Sequence, residues 1–220
     1  MLNENDLMRL RNRADELEQR ALRGGLRLGS DIDGVICNHY QRLISVLIEE
    51  KIDCVFPDHW TLMDSMQSIA APPNVWQRLR DDKEFWIGME VIEFLPFVPE
   101  LYCTSRGFAN AQEITRQWMV EKTIPLAPIH CIGDREGNRA NKVPLLWAYD
   151  IDIFVEDDPK QWAEINRSGI LCVSIDRPWN KSFDAGPFRI ARLSEISLDS
   201  RGSFIIEVIR EIEEQTTQAA

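Results

Sequence analysis

Histidine is scarce in this chain, with three residues at positions 39, 59 and 130. None has a partner at metal-ligand spacing, so a zinc site is not expected. The five cysteines (37, 54, 103, 131 and 172) are odd in number and form no C-x-x-C pair. That argues against a disulfide framework and for reduced, mostly buried thiols, as in a cytoplasmic protein. No apolar run approaches a membrane span, and the first residues are too charged for a secretory signal, so no membrane association is expected. Positive charge is in the minority: 25 Lys and Arg against 36 Asp and Glu give a net charge of -11. Such a field repels a nucleic-acid polymer but tolerates a small phosphorylated ligand wherever cations cluster locally. With 44% hydrophobic and 28% charged residues, 220 residues suffice for one good core and a small second module.

What is present is organised around Ser30-Asp31-Ile32-Asp33-Gly34-Val35-Ile36-Cys37-Asn38. The alternating run Leu26-Arg27-Leu28 before it reads as a strand. Gly34 allows the chain to turn. Asp31 and Asp33 then emerge beyond the carboxyl end of the strand, where open α/β sheets carry their chemistry. Two crowded carboxylates need something positive between them, and Mg²⁺, a hard cation with oxygen ligands, fits. Taken alone, a D-x-D-G is no more than an acidic turn.

The rest of the chain supplies possible companions at the ends of further strands. Residues 1–24 carry Leu10, Ala14, Leu17 and Ala21 at helical spacing; this helix packs on the domain surface or on a second copy in a homodimer. Residues 39–97 hold Trp60, Trp76, Phe85, Trp86, Phe94 and Phe97 with no clear parallel strand, and read as a helical insert, with helices at 40–50, 60–69 and 74–80. Residues 25–38 and 98–220 form the core. Strands at 101–103, 128–132, 151–155 and 170–175 alternate with helices at 110–121, 141–149 and 159–167. An extended segment at 188–193 and a helix at 203–214 close the chain. This alternation implies a parallel sheet with helices on both faces.

Asp31/Asp33, Thr104/Ser105, Lys142 and Glu156/Asp157 end consecutive elements of that core, so a parallel sheet brings them to one edge. An aspartate can attack phosphorus and form an aspartyl-phosphate. A second carboxylate can protonate the leaving oxygen and then activate water. A hydroxyl and a lysine can hold phosphoryl oxygens as charge moves. Further carboxylates can hold Mg²⁺.

In order, Asp31-Ile32-Asp33-Gly34-Val35, Leu101-Tyr102-Cys103-Thr104-Ser105, Lys142 and Val155-Glu156-Asp157-Asp158-Pro159 resemble the four motifs of the haloacid dehalogenase-like (HAD) phosphatases. The resemblance runs from about residue 26 to 180. It implies a Rossmannoid three-layer sandwich with a parallel sheet and a small helical cap inserted after the first strand. It also implies Asp31 as nucleophile, Asp33 as acid/base, Thr104, Ser105 and Lys142 as phosphate-binding residues, and a Mg²⁺ site of Asp31, the main-chain carbonyl of Asp33, Asp157 and Glu156. Glu156 would serve there as a ligand or as the partner of one.

Cys103-Thr104-Ser105, the loop Asp176-Arg177-Pro178-Trp179-Asn180 and the helical insert are similar to the 5'(3')-deoxyribonucleotidase branch. This branch implies a nucleoside monophosphate substrate. A sugar phosphate or another small phosphoester is the alternative, and a non-catalytic phosphate- or nucleotide-binding protein a third. Phe85, Trp86 and Arg106 are the candidate substrate-pocket residues, with Phe85 or Trp86 stacking on the base. The chain departs from the branch at Glu156, where aspartate is usual, at Asp158, where arginine is frequent, and at Arg106, where proline is common. Arg139 competes with Lys142 for the lysine role. Arg135 and Arg139 are further candidates for meeting the substrate phosphate.

Overall fold

The computed structural model describes residues 2–52, 75–134 and 140–196, together with positions 208, 210, 211 and 214. Six strands form one parallel sheet: β1 (Leu28–Ser30), β2 (Leu101–Thr104), β3 (Ile129–Cys131), β4 (Ile153–Glu156), β5 (Leu171–Ile175) and β6 (Arg189–Ile190). Their spatial order is β3-β2-β1-β4-β5-β6. The chain runs outward from β1 to β3, then returns to the other side of β1 for β4. That reversal is the switch point where the loops beyond the strand ends part and leave a crevice. The four central strands, β1, β2, β4 and β5, are buried on both faces, as a parallel sheet covered by helices requires: Leu101, Ile153, Phe154, Val155, Cys172 and Val173 are all fully buried.

Helix α1 spans Glu4–Leu22 and opens with a reciprocal capping box between Asn3 and Asp6. Its face of Leu10, Ala14, Leu17 and Ala21 is buried within the same chain, with the first three in the main core. Arg13 fixes it by donating to the buried Asp152 Oδ1 and to the Gly169 carbonyl, each at 2.9 Å. Arg20 joins it on Asp152.

The insertion between β1 and β2 carries α2 (His39–Glu49), α3 (Val75–Asp81) and α4 (Lys83–Ile87). Asn38 caps α2 by accepting the Gln41 N–H, and Asp82 caps α4 through the Glu84 N–H. The parallel α/β sandwich with a helical insert after its first strand, expected from the sequence, is therefore present. Trp60, the helix expected at 60–69, and Arg135 and Arg139 lie outside the described residues, as does most of the segment expected to form the closing helix. Helix α4 was not anticipated, since five residues are too few to show a period.

Further helices are α5 (Ala111–Glu121), α6 (Val143–Ala148) and α7 (Pro159–Arg167). Asn141 accepts the Val143 N–H and so starts α6, and Asp158 caps α7 with Pro159 in its first turn. The expected extended segment at 188–193 contracts to β6, flanked by 3₁₀ turns at Gly186–Phe188 and Leu193–Glu195. Among the described residues no helix is long and apolar enough to cross a membrane.

Candidate active site

Asp31 is the first residue past β1, and its N–H still donates to Val155 O on β4 at 2.9 Å. The sheet ladder therefore fixes its backbone before the chain turns. The Ile32 N–H then donates to Asp31 Oδ1 at 2.6 Å, which orients the carboxylate. Gly34 follows with φ +80°, a left-handed conformation that glycine adopts without strain. A side chain at this position would also collide with the Asp157 carboxylate. The turn is thus held to glycine by both backbone and neighbour.

Lys142 ends the loop before α6 and is buried, with its ammonium 2.8 Å from Asp31 Oδ2 and 2.7 Å from Glu156 Oε2. It bridges the ends of β1 and β4. Burial opposes its charge, but Asp31 and Glu156 outweigh this and hold its pKa well above the usual lysine value. Among the described residues two of its three donors are engaged, which leaves one for a ligand. Glu156 is fully buried, and its Oε1 accepts the N–H groups of Asp157 at 3.0 Å and Asp158 at 3.1 Å. Both of its oxygens are therefore occupied in shaping the lysine site and the loop.

Asp157 accepts the Trp179 indole N–H on Oδ2 at 2.7 Å, while its carbonyl accepts from Asn180 Nδ2 at 3.0 Å. Arg177 donates to Gly34 O at 2.6 Å and Val35 O at 2.7 Å. The loop after β5 thus clamps both the Asp31–Gly34 turn and Asp157. The sequence had marked this loop by its similarity to the deoxyribonucleotidase branch, without a role for Arg177, Trp179 or Asn180.

One carboxylate oxygen from each of Asp31, Glu156 and Asp157 lies within 4.8 Å of the other two, and all three residues are buried. Burial above all, and then repulsion from the neighbouring carboxylates, pushes the Asp31 and Asp157 carboxyls well above the usual range. Lys142 is one cation against three carboxylates. A hard, oxygen-only donor set with surplus negative charge suits Mg²⁺. Asp31 and Asp157 are the better ligands: each Asp31 oxygen accepts one hydrogen bond and Asp157 Oδ2 one, whereas Glu156 Oε1 already accepts two and Oε2 holds the lysine.

Asp33 has a different environment. Arg106 meets it side-on, with Nε 2.9 Å from Oδ2 and Nη2 2.7 Å from Oδ1. The Thr104 hydroxyl donates to Oδ2 at 2.8 Å. Burial alone would raise the Asp33 pKa, but Arg106, through charge and hydrogen bonds, together with His39 and Thr104, more than reverses it. The carboxyl lies well below its ordinary range.

These groups line a cavity of about 170 Å³ at the carboxyl edge of the sheet, with His39, Tyr40, Trp86, Ser105, Phe108, Asp134, Asp158 and Gln161 among its other walls. The cavity brings together Asp31, Asp33, Thr104, Ser105, Lys142, Glu156 and Asp157. Ser105 is exposed there. Thr104 is fully buried and directs its hydroxyl hydrogen to Asp33. A phosphate at this strand end would therefore meet Ser105 before it met the Thr104 hydroxyl.

Of the three expected pocket residues, Trp86 and Arg106 line the cavity and Phe85 does not. Phe85 is buried edge-on against Trp86, 5.1 Å between ring centroids, and is not part of the cavity wall. Trp86 reaches the wall but is only 3% exposed, stacked near-parallel to both Phe108 and His39 with the Arg106 guanidinium 4.9 Å from its ring centre. It has almost no surface left for a base. Arg106 belongs to Asp33, and its Nη1 donates to Thr115 Oγ1 at 2.8 Å. All three of its nitrogens are engaged inside the protein, although it forms part of the cavity wall. His39, Tyr40 and Phe108 are lining residues the sequence reading missed. A histidine and a tyrosine opening a helix after the acidic turn were the only available sign.

No protein-family model matches the chain, and no curated protein matches it. Among solved structures, a HAD-superfamily hydrolase of subfamily IA, variant 1, from Geobacter sulfurreducens is similar at 15% identity and a TM-score of 0.47. The alignment covers 80% of this chain and 96% of that one.

Proposed function

We propose that the chain is a Mg²⁺-dependent phosphomonoesterase of the HAD type that works through an aspartyl-phosphate on Asp31. The observation that carries this reading is Lys142. A buried ammonium bridging Asp31 and Glu156 keeps the attacking carboxylate oriented and presents a third donor beside it. Asp31 attacks phosphorus, and Lys142 and Ser105 hold the phosphoryl oxygens as charge builds on them. Asp33, ionised here, first takes up a proton from solvent, passes it to the leaving oxygen and, as the carboxylate again, takes one from the water that later cleaves the intermediate. Asp157, Asp31 and the Asp33 carbonyl would hold Mg²⁺, which supplies charge neutralisation for the incoming phosphate. Trp179 and Asn180 keep Asp157 in place.

For the substrate we favour a nucleoside monophosphate. The rings of His39, Tyr40 and Phe108 give the cavity a flat side. The sugar-phosphate alternative draws on the other side, where Asp134, Asp158 and Gln161 offer acceptors to hydroxyl groups. Phosphate release with Mg²⁺ from a panel of nucleoside monophosphates and sugar phosphates tests both readings. A higher kcat/KM across the nucleotides supports the first, and the reverse order the second. No release from either panel removes the phosphatase reading.

A further inference from the structure

Arg106 is the one fully enclosed cation of the cavity wall that does not touch Asp31, Glu156 or Asp157 among the described residues. Its guanidinium is sandwiched between two parts of the fold. On the core side Thr115 and Trp118 of α5 receive it, through the 2.8 Å hydrogen bond and a ring centre 5.6 Å away. On the insert side it lies 4.9 Å from the Trp86 ring centre of α4 and near Met89 Sδ at 3.9 Å. Trp86 is itself tied down by its indole N–H to the Arg80 carbonyl at 2.9 Å. The remaining edge of the planar fork is presented to both oxygens of Asp33. Arginine differs from lysine here because only a rigid fork fixes the plane of a carboxylate.

We propose that Arg106 is the positioning residue for Asp33, and that Trp86 makes the Asp33 orientation depend on the seating of the helical insert. Resting on the phosphatase reading above, this gives the insert a part in the proton-transfer step without a contact to substrate. Arg106 itself touches no reacting atom.

The test compares two substrates with Mg²⁺: a nucleoside 5'-monophosphate, whose leaving oxygen needs a proton, and p-nitrophenyl phosphate, whose leaving group does not. Arg106→Met should lower kcat/KM on the nucleotide by ~10²-fold or more and on the nitrophenyl ester by less than about tenfold, since kcat/KM reads the step in which the leaving group departs and general acid help there is worth ~10²–10⁴ where it is needed. KM for the nucleotide should stay near that of the wild type. Arg106→Lys should fall between, and Trp86→Leu should shift the same ratio in the same direction by a smaller factor. Asp33→Asn/Arg106→Met should be no slower on the nucleotide than Asp33→Asn alone, because the two act as a unit. Equal losses on both substrates, or losses that multiply in the double variant, overturn the proposal.

Arg106→Lys keeps the charge if Arg106→Met fails to fold. If the wild type releases phosphate from neither ester, the phosphatase reading has failed instead. Positioning is then judged by a thermal-unfolding cycle on Asp33→Asn and Arg106→Met: a double variant less destabilised than the sum supports the Asp33–Arg106 coupling, and strict additivity overturns it.

Discussion

Gly34 and Asp157 occupy each other's space: a methyl group on the glycine would collide with the aspartate carboxylate. The contact joins the turn after β1 to the turn after β4. Gly34→Ala should cost ~1–3 kcal/mol from the positive φ alone, and it should also displace Asp157. We expect a lower unfolding temperature together with a higher Mg²⁺ requirement for phosphate release. A variant that unfolds earlier but needs no more Mg²⁺ would show that the glycine serves only the turn.

Asp157 and Trp179 should be separable in the same assay. Asp157→Ala removes a ligand and should raise the Mg²⁺ concentration for half-maximal activity the most. Trp179→Phe keeps an aromatic ring against Tyr40, now 4.2 Å away between centroids, but removes the 2.7 Å hydrogen bond. Hydrogen bonds to charged groups are worth ~1.5–3 kcal/mol, so a roughly tenfold weaker Mg²⁺ response is expected from Trp179→Phe. Full activity of the wild type in excess chelator would remove the metal site altogether.

Asp31→Asn should abolish turnover while the fold survives. The amide cannot attack phosphorus, yet it has the size of the carboxylate and removes one negative charge from a crowded, buried cluster. We therefore expect an unfolding temperature equal to or above that of the wild type and no detectable phosphate release. Turnover near the wild-type rate would reassign the nucleophile.

The sheet was legible because β2, β4 and β5 are short apolar runs, and because Asp31, Thr104 and Glu156 mark the carboxyl ends of β1, β2 and β4. Boundaries moved by one to three residues, as with β1, where Leu26–Leu28 gave way to Leu28–Ser30. The placement of Asp31, Lys142, Glu156 and Asp157 in one cluster follows from chain order plus parallel topology. Arg106 was not legible in the same way. From the sequence it is a cation after a strand, facing a phosphate or solvent with equal ease, and only the packing of Thr115, Trp86 and Trp118 around it directs the fork to Asp33. The aromatics of the insert failed for a related reason. Nearness in sequence to the core showed that Phe85 and Trp86 are close to the cavity, but it could not show how much of each ring its neighbours cover.

Trp86→Ala tests that last point directly. If Trp86 were a stacking platform, its loss would raise KM for a nucleotide and leave a baseless phosphoester unaffected. The structure instead places the ring 3% exposed between Phe108, His39 and Arg106, with its indole N–H on the Arg80 carbonyl. Removing a buried tryptophan costs ~3–5 kcal/mol through lost burial and the cavity left behind. The guanidinium of Arg106 loses one of its two flanking rings at the same time. The expected result is a marked fall in unfolding temperature, with KM for the nucleotide and for p-nitrophenyl phosphate changed by similar factors. The kcat/KM loss should be larger for the nucleotide, because what the variant loosens is Asp33. A selective rise in nucleotide KM with unchanged stability would return Trp86 to the substrate and require the insert to open far enough to bare one face of its ring.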